Sequence, residues 1–435
     1  MFFGLFDSVE KKTRATAANW LELAEKVHSY RRDVLSEAER SAIQQASSNL
    51  RRQLQEKSDA SRLKLSIEAL EGVLRTTGGM HYPKSGMVEN IEFFLVAAIV
   101  ILGVRMYFVQ PFKIPTNSMW PSYNGMTPEV FHTKAEEPGA AARALRLVAM
   151  GARPRTLDAA DNGEVLIPIA GRQTRGLVKY REVAGRSWGV IPSRNREYTL
   201  LAGNRTVSTQ VPLDFDFDWV VREAFFPEAE TLGAALEAKV QRGEYVDKEV
   251  TTSAGTTERV RFIRTGKTVR AGERMLSFDI LTGDQLFVDR VSYHFVKPQV
   301  GDGFVFRTDN IDSPYMQDAA GRQLEQYYIK RLAGTPGDTL EIREPVLYRN
   351  GAPITGSKAF GRNATREGNY PGYRAGGVLA AGEVFTVPAD SYIALGDNSA
   401  NSQDSRYWGT VPAGDVVGRP LFIYYPFTKR WGPAP

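Results

Sequence analysis

The sequence predicts a mainly β chain with an N-terminal α-helical hairpin, one transmembrane helix and a large α+β insertion. Three observations carry that expectation: helical a/d spacing confined to the first ~80 residues, one long apolar run, and a β-rich, turn-punctuated C-terminal third. The chain has 435 residues, which is two or three domains' worth at ~100–200 residues each. With 42% hydrophobic, 11% aromatic and 24% charged residues, it is a folding chain, so dominant disorder and a collagen-like fibre are excluded.

The helical hairpin is expected over 1–80. Trp20, Leu23, Val27, Tyr30 and Val34 recur at steps of three and four, and Leu63, Ile67, Leu70 and Leu74 repeat the pattern. Between the runs, Ser36 to Glu39 reads as a capping box, and Gly78-Gly79 supplies a stop. Two uses of the seam stay open, self-packing and docking of a partner helix.

The membrane candidate follows over 91–109. From Phe93 to Val109, 15 of 17 residues are apolar, the exceptions being Gly103 and Arg105. At ~1.5 Å per residue that stretch covers ~25 Å of a ~30 Å hydrocarbon layer. It lies too deep in the chain for a cleavable secretory signal. A buried core helix is the alternative, and flanking Lys/Arg leave the orientation undecided.

Residues 127–275 form a separate block. Ala140–Met150 before Gly151 and Pro227–Arg242 before Gly243 read as helices with glycine stops. Leu213 to Trp219 alternates with period two and reads as a strand with an acidic, solvated edge. Gly266-Lys267-Thr268 is no phosphate loop, because Arg261 stands where its leading glycine would be. The β domain is expected over 111–126 and 276–435, antiparallel and barrel- or sandwich-like, with a hairpin turn at Asn350-Gly351.

The chemistry is narrowed by elimination. There is no cysteine, which removes disulfides, thiolate nucleophiles and Cys-based metal sites. Four scattered histidines (His28, His81, His132, His294) give little material for a metal site or a histidine relay. The net charge of +5 is spread without a dominant basic run, so nucleic acid is not an expected partner. Four stretches stand apart: Pro111–Pro121 with Ser118 between three prolines; Gly283–Arg290; Tyr328–Asp338 with Lys330; and Ala394–Gly409 with Ser402, Asp404 and Arg406. A serine hydroxyl needs a base, and without a plausible histidine a desolvated lysine is the remaining choice. Ile329 and Met119 supply apolar neighbours for such a pair.

In these four boxes, in this order, the sequence resembles the bacterial type I signal peptidases (leader peptidases), membrane-bound Ser-Lys endopeptidases with a signal-peptidase-like antiparallel β fold. The matching stretches cover about a third of the chain. The resemblance implies Ser118 as acylating nucleophile and Lys330 as general base, with Ser402 hydrogen-bonded to the lysine amine. The Ser118 amide and the Thr116 hydroxyl would hold the oxyanion, Thr116 standing where serine is usual. Asp404 and Arg406 would buttress the site, and Phe112, Ile114, Met119, Tyr123, Tyr328 and Ile329 would line the substrate pockets. It also implies a single-pass protein of the bacterial inner membrane, with 1–80 cytoplasmic and the catalytic domain outside. Signal peptides of exported preproteins would be cut after small-x-small sites, without metal or cofactor. Its partners would be those preproteins and the bilayer, with the translocation machinery left open.

Three departures accompany the resemblance: Ser399 where arginine is common, Tyr123 where a smaller aliphatic is usual, and the long block at 127–275. Two rival readings stay open, a self-cleaving repressor-type Ser-Lys protease and a catalytically silent membrane-tethered scaffold.

Overall fold

The computed structural model describes residues 9–84, 86–170, 177–187, 191–251, 257–318 and 321–435. They belong to two compact units, Met1–Ile101 and Leu102–Pro435.

In the first unit the expected hairpin has a third helix. Val9–Tyr30, Glu37–Gln55 and Ala60–Thr77 pack around Ala24, Val27, Ile43, Leu50, Leu63, Leu70 and Leu74. The capping box forms as read: the Glu39 amide donates to Ser36 Oγ at 3.3 Å and the Ser36 amide to the Glu39 carboxylate at 2.8 Å. It opens the additional helix, whose apolar positions are too sparse to announce it. Tyr30 and Val34 are exposed, because the first helix stops at Tyr30 and Leu35 turns inward instead. The apolar helix runs from Gly86 to Tyr107, starting earlier than read and ending two residues sooner. Its 22 residues span ~33 Å, and their apolar side chains are exposed along its length.

The second unit is built on an eight-stranded sheet in which every pairing is antiparallel. Its order is Val109–Lys113, Gln285–Asp289, Val416–Tyr425, Gly303–Arg307, Tyr327–Gly334, Ser391–Leu395 and Val411–Pro412, with Gly432–Pro433 beside Val416–Tyr425. A four-stranded sheet packs nearby, and its hairpin turns at Asn350-Gly351 with φ of 53° and 78°, the positive pair that a type I′ turn requires.

The insertion has its own α+β core, with Leu200, Phe215, Phe217, Val220, Ile263 and Phe278 at its centre. Strand Arg274–Leu281 pairs with Thr127–Val130 on one side and Arg153–Asp158 on the other, so the insert runs to Leu281, past the expected boundary at 275. Entrance and exit are therefore hydrogen-bonded neighbours: Thr127 faces Leu281 and Val130 faces Phe278. Ala140–Met150 is the expected helix, stopped by Gly151 at φ 61°. The second helix begins only at Leu232, where the Thr231 hydroxyl caps it.

The expected acidic strand at 213–219 is not a strand. The Asp216 carboxylate accepts from the Trp219 amide and opens a helix, Phe217–Phe225, which buries Phe217, Val220 and Val221 at helical spacing. Of the three acids only Asp214 is exposed, while the Asp218 carboxylate accepts from the Leu177 and Val178 amides. Alternation over so few residues fits both states, and the cap decides between them.

Candidate active site

The serine loop leaves the edge strand Val109–Lys113 and is pinned from several sides. The Ile114 amide donates to the Asp284 carbonyl. The Asn117 side chain donates to the Met126 carbonyl at 2.7 Å and accepts from the Gly125 amide at 2.9 Å, closing the loop. Gly125 must stay glycine there, since a Cβ would come within 2.2 Å of the Thr116 carbonyl carbon. Arg430 pairs with the buried Asp284 carboxylate at 2.5 Å and donates to the Pro121 and Ser122 carbonyls. The last box closes the cage: the Asn398 amide donates to the Ser118 carbonyl at 3.1 Å and its side chain to the Asn117 carbonyl at 3.0 Å.

Lys330 comes from the strand Tyr327–Gly334, opposite Phe304. Its Nζ lies 2.5 Å from Ser118 Oγ, bridging 212 positions of sequence. The lysine is only 4% exposed. Burial, the dominant cause, pulls its amine down to about 8, while Asp404 and Asp397 act the other way and Arg406 adds to the lowering. Both acids carry their own partners, which limits their hold on the lysine proton. Arg331 forks onto Asp397 at 2.6 Å in a fully buried pair. Arg406 forks onto Asp404, with Nε at 2.7 Å from Oδ1 and Nη2 at 2.9 Å from Oδ2.

Asp404 also accepts from the Gly396 amide, and Arg406 reaches the carbonyls of Ser399, Ser402 and Arg374. The Ser399 departure is accommodated here: its buried hydroxyl accepts from Arg406 Nη1 at 2.8 Å and from the Arg374 amide at 2.9 Å. Ser402 is in place, but its buried Oγ has no hydrogen-bond partner, so the bond to lysine that the resemblance implies is not formed. It packs on Gly396, where a Cβ would fall 2.1 Å from that Oγ and 2.5 Å from the Ser118 carbonyl oxygen. Thr116 is exposed on the same loop as Ser118.

The six residues expected at the substrate separate into two groups. Ile114, Met119 and Tyr123 are buried in the core. Gly303 makes room for the large Tyr123, since a Cβ there would approach the phenol oxygen to 2.9 Å. Phe112, Tyr328 and Ile329 are only half-buried. Phe112 meets Tyr327 edge-on at 5.1 Å, joining the outer strand to the lysine strand. Pairing of the lysine strand with Ser391–Leu395 covers only Arg331–Gly334, so the segment carrying Lys330 is not paired on that side.

Sequence reasoning did not find the insert's contribution. Trp219, on the helix misread as a strand, packs edge-on against Trp120 with centroids 5.2 Å apart. The Asn401 side chain donates to Asp216 at 3.4 Å, and burial holds the Asp216 carboxyl above its ordinary range. The insert thereby touches the residue two after Ser118 and the residue before Ser402. No local signal links positions so far apart. Arg331 and Asp397, by contrast, stand inside the quoted boxes. Among the described residues no cluster of His, Asp and Glu could hold a metal ion.

A serine hydroxyl 2.5 Å from a buried amine is a geometry in which a neutral amine could accept the hydroxyl proton. Comparison with known proteins narrows the class. Residues 260–425 match the family model of signal peptidase, peptidase S26. A probable signal peptidase I-1 of Synechocystis is 35% identical over 150 residues, covering 34% of this chain and 66% of the relative. Signal peptidase I of Leptolyngbya laminosa is 34% identical over 158 residues, covering 35% of this chain and 66% of the relative. A crystal structure of a signal peptidase I from Enterococcus faecalis is 31% identical, covering 28% of this chain and 97% of that one with a TM-score of 0.20. The chain thus spans 66% of the length of those two curated relatives.

Proposed function

We propose that this chain is a membrane-anchored serine endopeptidase that removes N-terminal signal peptides from exported preproteins. The observation that carries the reading is the buried Lys330 amine, near 8 and 2.5 Å from Ser118 Oγ. In its neutral form the amine takes the Ser118 proton as Oγ attacks the scissile carbonyl, and it returns that proton to the leaving amine. The Ser118 amide and the Thr116 hydroxyl face the developing oxyanion, where one such donor contributes ~3–4 kcal/mol. Water then enters, the amine takes its proton, and the acyl-serine is hydrolysed. The Asp404–Arg406 and Asp397–Arg331 pairs hold the frame around the amine.

The substrate lies extended along the open edge of Val109–Lys113, against Phe112, Tyr328 and Ile329. Cleavage follows small residues on either side of an intervening one, with Ile114 and Met119 packed in the core beneath. The apolar helix Gly86–Tyr107 anchors the chain in the bacterial inner membrane, with residues 1–80 cytoplasmic and the β domain outside. The signal peptide, the bilayer and the translocation machinery are its partners.

The test is cleavage of a preprotein by the detergent-solubilised chain, compared with Ser118→Ala and Lys330→Met. Both variants should lose at least 10³-fold in turnover. Near-normal cleavage by either one refutes the dyad, and loss in both with no preprotein processed by the parent chain refutes the activity.

A further inference from the structure

Between the insert and the β domain lies a cavity of about 570 Å³. Its walls carry Lys113, Arg153, Arg155, Arg186 and Arg194 against a single carboxylate, Asp214. Arg155 is held by the backbone carbonyls of Gln210 and Pro154, both at 2.8 Å, rather than by an acid. The Arg194–Glu182 pair is long, 3.9 Å, and exposed. Burial, the larger cause, and then the Arg153 guanidinium pull the Lys113 amine below its ordinary value, while Asp214 acts the other way. Walls of this composition concentrate a field that an anion relieves.

The rim of the cavity differs in kind. Leu147 and Tyr425 are among its further lining residues. The Tyr425 hydroxyl donates to the Val148 carbonyl at 3.1 Å and the Phe427 amide to the Ala149 carbonyl at 2.8 Å, fastening the helix Ala140–Met150 to the β domain. Around that junction Leu145, Val148 and Phe427 are exposed. Lys113 follows Tyr107, the last residue of the apolar helix, by six positions, so the two lie within ~20 Å of each other along even a fully extended chain. A free anion or an acidic peptide would use the cations and leave the apolar rim without a role. A molecule with a negative head and an apolar tail uses both.

We propose that this cavity binds the headgroup of an anionic phospholipid at the bilayer surface, with Leu145, Val148 and Phe427 entering the acyl boundary. The assignment rests on the membrane anchoring put forward above. It gives the insert a second task, holding the serine loop at a fixed height over the lipid.

The test uses the full chain in neutral detergent and four soluble probes: dihexanoyl-phosphatidylglycerol, dihexanoyl-phosphatidylcholine, inorganic phosphate and a penta-glutamate peptide. Phosphatidylglycerol should bind at least tenfold tighter than each of the others. Removing a cation near a lipid surface costs about fivefold, so the triple variant Arg155→Gln, Arg186→Gln, Arg194→Gln should lose about 100-fold. Asp214→Asn should tighten binding, an outcome that mere loss of structure cannot produce. Leu145→Ser with Val148→Ser should weaken both lipids alike. Equal binding of phosphate or tighter binding of penta-glutamate overturns the assignment, as does an unchanged triple variant. Flotation with pure phosphatidylcholine vesicles reports anchoring separately. A chain that floats without any phosphatidylglycerol preference overturns the cavity assignment alone, and one that does not float overturns the anchoring.

Discussion

The acidity profile of turnover is the sharpest consequence of the Ser118–Lys330 geometry. An amine near 8 is about half neutral at pH 8, about a tenth at pH 7 and about a hundredth at pH 6. At its ordinary value of 10.5 the neutral fraction at pH 7 would be about 300-fold smaller than that tenth. For preprotein cleavage, kcat/KM should therefore fall about tenfold per pH unit below 8, with an acid limb set by one group. Lys330→Arg keeps the donor but is never neutral, so it should be inactive at every pH up to 9. The same shift fixes a stability effect of known sign. The folded amine titrates lower than the unfolded one, so the cost is complete below about 8 and fades as pH rises through 10.5. The difference of 10.5 and 8 corresponds to ~3 kcal/mol. Lys330→Met should thus be more resistant to denaturation than the parent at pH 7 and lose that advantage near pH 11. A flat rate profile from pH 5 to 9, or a Lys330→Met variant weakened at neutral pH, would refute the buried-base argument.

Three further outcomes follow from named contacts. Gly396→Ala should abolish cleavage, because its methyl would stand 2.5 Å from the Ser118 carbonyl oxygen and 2.1 Å from Ser402 Oγ; wild-type turnover would contradict the packing. Trp219→Ala removes the edge-on partner of Trp120, worth ~1 kcal/mol beyond area burial, and should lower kcat several-fold while the acid limb stays in place. Arg331→Leu strands the buried Asp397 carboxylate and should cost ~3–5 kcal/mol by thermal or chemical denaturation, whereas an effect below ~1 kcal/mol would show that the pair is not desolvated.

Legibility in the sequence followed the range of the interaction. The boxes around Ser118, Lys330 and Asp404 could be read because each carries its chemistry within a few positions, and the structure brings the three together. The Asn350-Gly351 turn and the Gly151 stop are likewise decided by backbone freedom at one or two residues. Leu213–Trp219 misled because alternation and helical spacing coincide over a short run, and only the Asp216 cap separates them. The middle helix Glu37–Gln55 was hidden because it offers the core little beyond Ile43 and Leu50. The Trp120–Trp219 and Asn401–Asp216 contacts had no signature at all, being products of tertiary assembly.

The pairing of Thr127–Val130 with Phe278–Leu281 explains how so large an excursion coexists with a demanding catalytic geometry. A segment whose two feet stand side by side can lengthen, shorten or be exchanged without prying apart the loops it interrupts. Such a segment is also free to lean back over the loops it interrupts, as Trp219 does onto Trp120.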